Sequence, residues 1–113
     1  MLIGDLSMVK KETVTITGAH GVSIQWLLSE KENIPHFYMR YVTIEPGGII
    51  PLHSHEVIHE MFFVKGTGSI LTESGEIPIA AGNFVFMPSN IIHGTKNTGT
   101  EPLEFICCIN KLT

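Results

Sequence analysis

Nowhere in this chain do apolar residues recur at i, i+3, i+4 and i+7 for a dozen positions before a glycine or proline intervenes. A helix of more than a turn or two has no place to form, so the apolar residues must be buried on strands. Eleven glycines and six prolines are spread along the 113 residues, with short apolar runs between them. This is the punctuation of many short strands joined by tight turns. Thr13 to Thr17 and Val22 to Leu28 alternate and are β-branched, and Gly18-Ala19-His20-Gly21 between them predicts a hairpin with a four-residue loop. Phe37 to Glu45 predicts a strand stopped by Pro46-Gly47-Gly48. Shorter strands follow at 49–52, 59–65, 69–73, 77–80, 84–87 and 103–109, separated by turns at Gly66-Thr67-Gly68, Ser74-Gly75 and Ala81-Gly82.

So many short antiparallel strands must hide their edges, and the stable solutions are a closed barrel or a double-sheet jelly roll. The sequence therefore predicts an all-β jelly-roll barrel. The length suits one domain over residues 1–113, with N-terminal strands within 1–30 and the barrel core over 37–110.

The formal charge is −4 and no basic run exceeds Lys10-Lys11, so the electrostatic footprint of a nucleic-acid binder is missing. Met1 to Glu12 does not read as a secretory signal, and no apolar run approaches the ~20 residues of a membrane span. The expectation is a soluble, cytoplasmic protein with neither nucleic acid nor membrane as partner. Cys107 and Cys108 are neighbours on a predicted strand and point to opposite faces, which suits two reduced thiols in that compartment.

Four of the six histidines form a set: His53 and His55 in Leu52-His53-Ser54-His55, His59 in Ile58-His59-Glu60-Met61, and His93 in Ile92-His93-Gly94. Along an extended segment the side-chain period is two, so His53 and His55 share a face and both imidazoles can reach one ion. Metal sites commonly join such a close pair to remote ligands, because the fold closes the polyhedron. Four neutral imidazoles gathered in an apolar barrel without a metal would leave several lone pairs unsatisfied, at about 1–3 kcal/mol each. His20 and His36 sit in or beside predicted loops and read as solvated.

The segment Gly47-(five residues)-His53-Ser54-His55-(three)-His59-(six)-Gly66 resembles the first cupin motif. Gly82-(five)-Pro88-Ser89-Asn90-(two)-His93-(three)-Asn97 resembles the second. With their flanking strands the two motifs span about residues 37 to 110, and the likeness is to small single-domain cupins with a four-histidine metal site. The family usually has Glu where His59 stands and Gly where Asn90 stands. Both spacings select position 59, whereas Glu60, the alternative ligand, has the opposite strand parity and would face away if His59 faces inward. Asn tolerates the left-handed turn geometry nearly as well as Gly.

The resemblance implies one divalent transition metal ion held by His53, His55, His59 and His93. Imidazole suits Mn, Fe, Ni, Cu and Zn alike. Four neutral ligands leave the full charge of the ion in the site, which makes it a stronger Lewis acid than the usual carboxylate-containing set. Each ligating ring needs an acceptor for its other N–H, and Glu56, Glu60 and backbone carbonyls are the candidates. Parity with His59 turns Met61 and Phe63 inward, and Leu103, Phe105, Cys107 and Ile109 share one face of the last strand. The resemblance places Phe105 and Cys107 near the metal. Arg40, the only arginine, has two available tasks: holding a substrate carboxylate, or closing a salt bridge with a surface glutamate, the more ordinary role.

Three functions follow as expectations. The first, implied by likeness to cupin dioxygenases, is an oxygenase acting on a small apolar or aromatic molecule. The second is a redox-neutral isomerase, lyase or cyclase in which the ion polarises a carbonyl. The third is a non-enzymatic small-molecule binder. Free edges on the N-terminal strands, together with the resemblance, imply a homodimer.

Overall fold

The computed structural model describes residues 1–112. Nine strands follow in order: β1 (Glu12–Thr13), β2 (His20–Leu28), β3 (Phe37–His53), β4 (His59–Lys65), β5 (Thr67–Thr72), β6 (Gly75–Ala80), β7 (Phe84–Met87), β8 (His93–Asn97) and β9 (Leu103–Asn110). Helical structure among the described residues is confined to two three-residue 3-10 turns, Leu6–Met8 and Glu30–Glu32. Every strand pair is antiparallel, and the strands curl into a jelly-roll barrel. Among the described residues no helix is long and apolar enough to cross a membrane.

The seventeen-residue β3 organises the barrel. Its first half pairs with β2 on one side and β9 on the other, and the sheet continues through β4 to β7. Its second half pairs with β8, which leads through β5 to β6. The turn expected at Pro46-Gly47-Gly48 does not end the strand. It bends the chain from one sheet into the other, with Gly47 at φ +80° and the β2–β3 register jumping from Val22↔Ile44 to His20↔Ile49. Strands that switch sheets commonly do so through such irregularities.

Two further expectations are corrected. The first hairpin is smaller than predicted: β1 has two residues, and His20 begins β2 instead of sitting in a loop. Beyond the Val14 N–H, which still donates to the Val22 carbonyl (3.0 Å), the chain leaves the ladder, and Val14 and Ile16 line the mouth of a cavity. β8 carries no apolar residue and was not predicted as a strand, yet His93, Gly94, Thr95 and Asn97 in it are buried. Its polar groups are paired inside the fold: the Asn97 side-chain amide donates to the carbonyls of Ile44 (2.9 Å) and Glu101 (2.8 Å). Gly94 is required by close approach, since a Cβ there would lie 2.5 Å from the Ile50 carbonyl oxygen across the β3–β8 pair.

Inward-facing residues of both sheets make one core around Ile44, Phe63, Leu103 and Cys107, with the rings of Phe63 and Phe105 at 4.8 Å between centroids. The outer face is different. Phe62, Val64, Phe84 and Phe86 stand exposed on neighbouring strands β4 and β7, away from the N-terminal edges.

Candidate metal centre

The histidines gather where β3, β4 and β8 end or begin at the same end of the barrel. His53 closes β3 and His93 opens β8, and the two are register partners. His55 stands two residues beyond β3, and His59 opens β4 with its ring buried inside. One ligand nitrogen from each of His53, His55 and His93 lies within 4.8 Å of the others.

Each of these three rings is oriented by the same device. Nδ1–H of His53 donates to the Pro51 carbonyl (2.8 Å), that of His55 to Val57 (3.0 Å), and that of His93 to Ile91 (3.0 Å). A carbonyl can only accept, so in all three rings Nδ1 carries the proton and Nε2 keeps a free lone pair. The partners that orient the rings are thus backbone carbonyls two residues away. Glu56 and Glu60 are exposed, and Glu60 lies on the outer face of β4 across from Phe86, so it does not reach the site.

His55 Nε2 is buried and has no hydrogen-bond partner. An orphaned buried acceptor costs about 1–3 kcal/mol, and a cation in the centre of the three rings would take that lone pair. The donor set therefore fits a divalent transition metal, and softness and charge leave Mn, Fe, Ni, Cu and Zn all suitable.

His59 lies beside this triad, its ring centroid 4.3 Å from that of His55 and 5.4 Å from that of His93. Its nitrogens are turned elsewhere: Nδ1 is 3.4 Å from the Cys107 sulfur, and Nε2 is 3.5 Å from Nη2 of Arg40. Since a guanidinium only donates, His59 Nε2 accepts. The structure thus brings all four rings together but converges nitrogens from three.

Burial pushes His59 down to about 3, with the positive charge of Arg40 adding to the effect. Burial also lowers His55 and His93. Neutral rings are what a metal requires. The sign of the pH dependence follows: these histidines stay neutral in the folded chain while an unfolded chain takes up protons below about 6.5. The stability they carry is complete above that value and is lost as pH falls toward about 3 for His59. Urea midpoints of metal-stripped protein are expected to drop steadily between pH 7 and pH 5, and a flat profile would contradict the assignment.

The triad opens on a cavity of about 370 Å³. Apolar side chains dominate its wall, among them Val14, Ile24, Val42, Met61 and Phe105, and no Asp, Glu, Lys or Tyr reaches it. Phe105 and Cys107 both line it. Arg40 lines it too, which corrects the expectation of a surface salt bridge. The ion pairs among the described residues are Lys65–Glu104 and Lys96–Glu76, and Arg40 belongs to neither. A larger groove of about 610 Å³ beside Trp26, Lys31 and Tyr38 contains neither histidine nor cysteine.

A family model described as a cupin domain matches residues 40–109. The chain belongs to the cupin family. Among related cupins, it is 28% identical to the oxalate-binding protein of Thermotoga maritima, over 96% of this chain and 93% of that one. A solved structure described as a predicted oxalate decarboxylase from Thermotoga maritima superposes with a TM-score of 0.85 at 27% identity, covering 98% of this chain and all of that one. The polyketide cyclase RemF from Streptomyces resistomycificus superposes with a TM-score of 0.91 at 21% identity, covering 97% and 79%, a likeness of fold. This cupin carries residues that could hold a metal at its barrel mouth. Sequence reasoning had not singled out Val14 or Ile16, because only the folded barrel turns them toward that mouth.

Proposed function

We propose that this cupin is a metal-dependent dioxygenase that joins dioxygen to a small organic molecule with an apolar or aromatic body. The observation that carries this reading is the cavity wall: apart from the histidines it offers no carboxylate, lysine or tyrosine to move protons, while it is well suited to an apolar substrate. Dioxygenation suits such a wall because both oxygen atoms enter the substrate and the substrate supplies the electrons, so no external reductant is needed. When bound, a redox-active ion supplies Lewis acidity and a path for electrons to dioxygen.

The chain's own residues do the rest. His53, His55 and His93 offer three oriented lone pairs, and the His59 ring stacks on that of His55 beside them. Phe105, Met61 and Val42 pack against the substrate body and keep water from the reacting atoms. The test is oxygen uptake by protein reconstituted separately with Fe(II), Mn(II), Cu(II) and Zn(II). The reading expects uptake matched to loss of an aromatic substrate with at least one redox-active ion and none with zinc.

One observation favours a second, redox-neutral reading. His59 turns its nitrogens away from the triad toward Cys107 and Arg40, so three rings are offered to the ion and more of its positions are left open to polarise a substrate carbonyl. Turnover retained with zinc and without oxygen uptake would select this isomerase, lyase or cyclase chemistry over dioxygenation.

A further inference from the structure

Arg40 is a half-buried cation that forms no ion pair among the described residues. It lies on β3 between two register partners, Trp26 on β2 and Cys107 on β9. The guanidinium carbon sits 5.5 Å from the Trp26 ring centroid, so the indole face holds one side of the group. Nη2 donates to the Cys107 sulfur at 3.1 Å and approaches His59 Nε2 at 3.5 Å, two soft or distant acceptors. Nε is buried and makes no hydrogen bond at all.

A guanidinium stays charged at any pH the protein meets. Among the described residues the cavity wall contains no carboxylate, and the planar fork of Arg40 is left with an unused donor at Nε. The group most complementary to that fork is a carboxylate, bound in a bidentate or shared fashion. We propose that Arg40 is the anion-binding residue of this pocket and that the ligand is an apolar or aromatic monocarboxylate, its carboxylate directed to Arg40 and the metal site and its body against the apolar wall.

The size and character of the wall separate this ligand from a bare dicarboxylate such as oxalate. A cavity of about 370 Å³ falls within the usual range for organic ligands with a substantial body. Oxalate would leave most of that wall without a partner. A ligand with a phenyl or branched body uses both the wall and the cation.

The inference rests on the metal-cupin reading for where the ligand sits, but not on any reaction. Binding is therefore measured without turnover, by calorimetry on zinc-loaded protein under nitrogen, with benzoylformate, its methyl ester and oxalate as probes. Wild type is expected to bind benzoylformate at least about tenfold more tightly than either the ester or oxalate. Arg40→Met is expected to weaken benzoylformate about 10–100-fold, the range of a charge-assisted hydrogen bond. Arg40→Lys, which keeps the charge but not the fork, should fall between. Zinc content and melting temperature of both variants are expected to match wild type, which separates loss of the anion site from misfolding.

The proposal is overturned if Arg40→Met, or Arg40→Lys should the methionine variant not fold, binds benzoylformate as tightly as wild type. It is equally overturned if the ester or oxalate matches the acid, or if wild type binds none of the three. Failure of the oxygenase reading shows differently, as tight acid binding with no oxygen uptake in any metal form. Failure of the metal site shows as absent zinc by elemental analysis.

Discussion

Replacing His93 by alanine is expected to leave the purified chain with less than about a tenth of the metal that wild type retains after the same dialysis. Loss of a residue that merely orients a ligand already costs about 10–100-fold in affinity, and removing the ligand itself costs at least that much. His93 is the informative position because it opens β8 opposite His53, so its ring belongs to the second sheet while His53 and His55 follow from β3. Elemental analysis, with the melting temperature measured before and after metal addition, checks it. Wild type should gain stability on loading in proportion to affinity and metal concentration, and the variant should not. Undiminished metal in His93→Ala would sink the three-imidazole site. The same comparison with His59→Ala decides between a ligand and a neighbour: a loss of comparable size makes it the fourth ligand, while unchanged content leaves it a neighbour held toward Cys107 and Arg40.

Phe63→Ala is expected to produce the largest loss of stability of any single truncation, about 3–5 kcal/mol. The ring is wholly buried and packs against Phe105 at 4.8 Å, so the variant leaves a cavity between β4 and β9. At about 4–8 °C per kcal/mol for a domain of this size, melting should fall by roughly 12 °C or more. The consequence reaches the site, because Phe105 lines the metal cavity and β4 also carries His59. Chemical denaturation monitored at Trp26 measures the change. A loss below about 1 kcal/mol would mean that the barrel collapses around the hole, and that Phe63 does not set the position of β4.

Most of the strands were legible because their alternation is strong. His59 to Lys65 and Phe84 to Met87 appear with the bounds the pattern predicts, since one face of each is buried and breakers mark their ends, Gly66 after the first and Gly82 and Pro88 around the second. β8 was not legible for the opposite reason. Its residues His93-Gly94-Thr95-Lys96-Asn97 are polar or small, and all but Lys96 are buried because neighbouring segments of the fold satisfy them, which no local pattern encodes. Proline and glycine at 46–48 misled in a related way. They mark a break in regularity, and a bend within a continuous strand carries the same residues as a turn between two.

By itself the sequence determined the class of fold and singled out the four histidines whose rings lie at one end of the barrel. Two-residue periodicity, glycine spacing and the His53-Ser54-His55 pair are local properties, and local properties survive without a tertiary context. Only the tertiary structure decided where the ring nitrogens point, with three offered to a common centre and those of His59 turned toward Cys107 and Arg40. It alone brought Arg40 inward under Trp26, away from every glutamate on the surface. The physical reason is that a side chain's direction depends on the register of the strands flanking it, and register is set by packing across the whole barrel and not by neighbours along the chain.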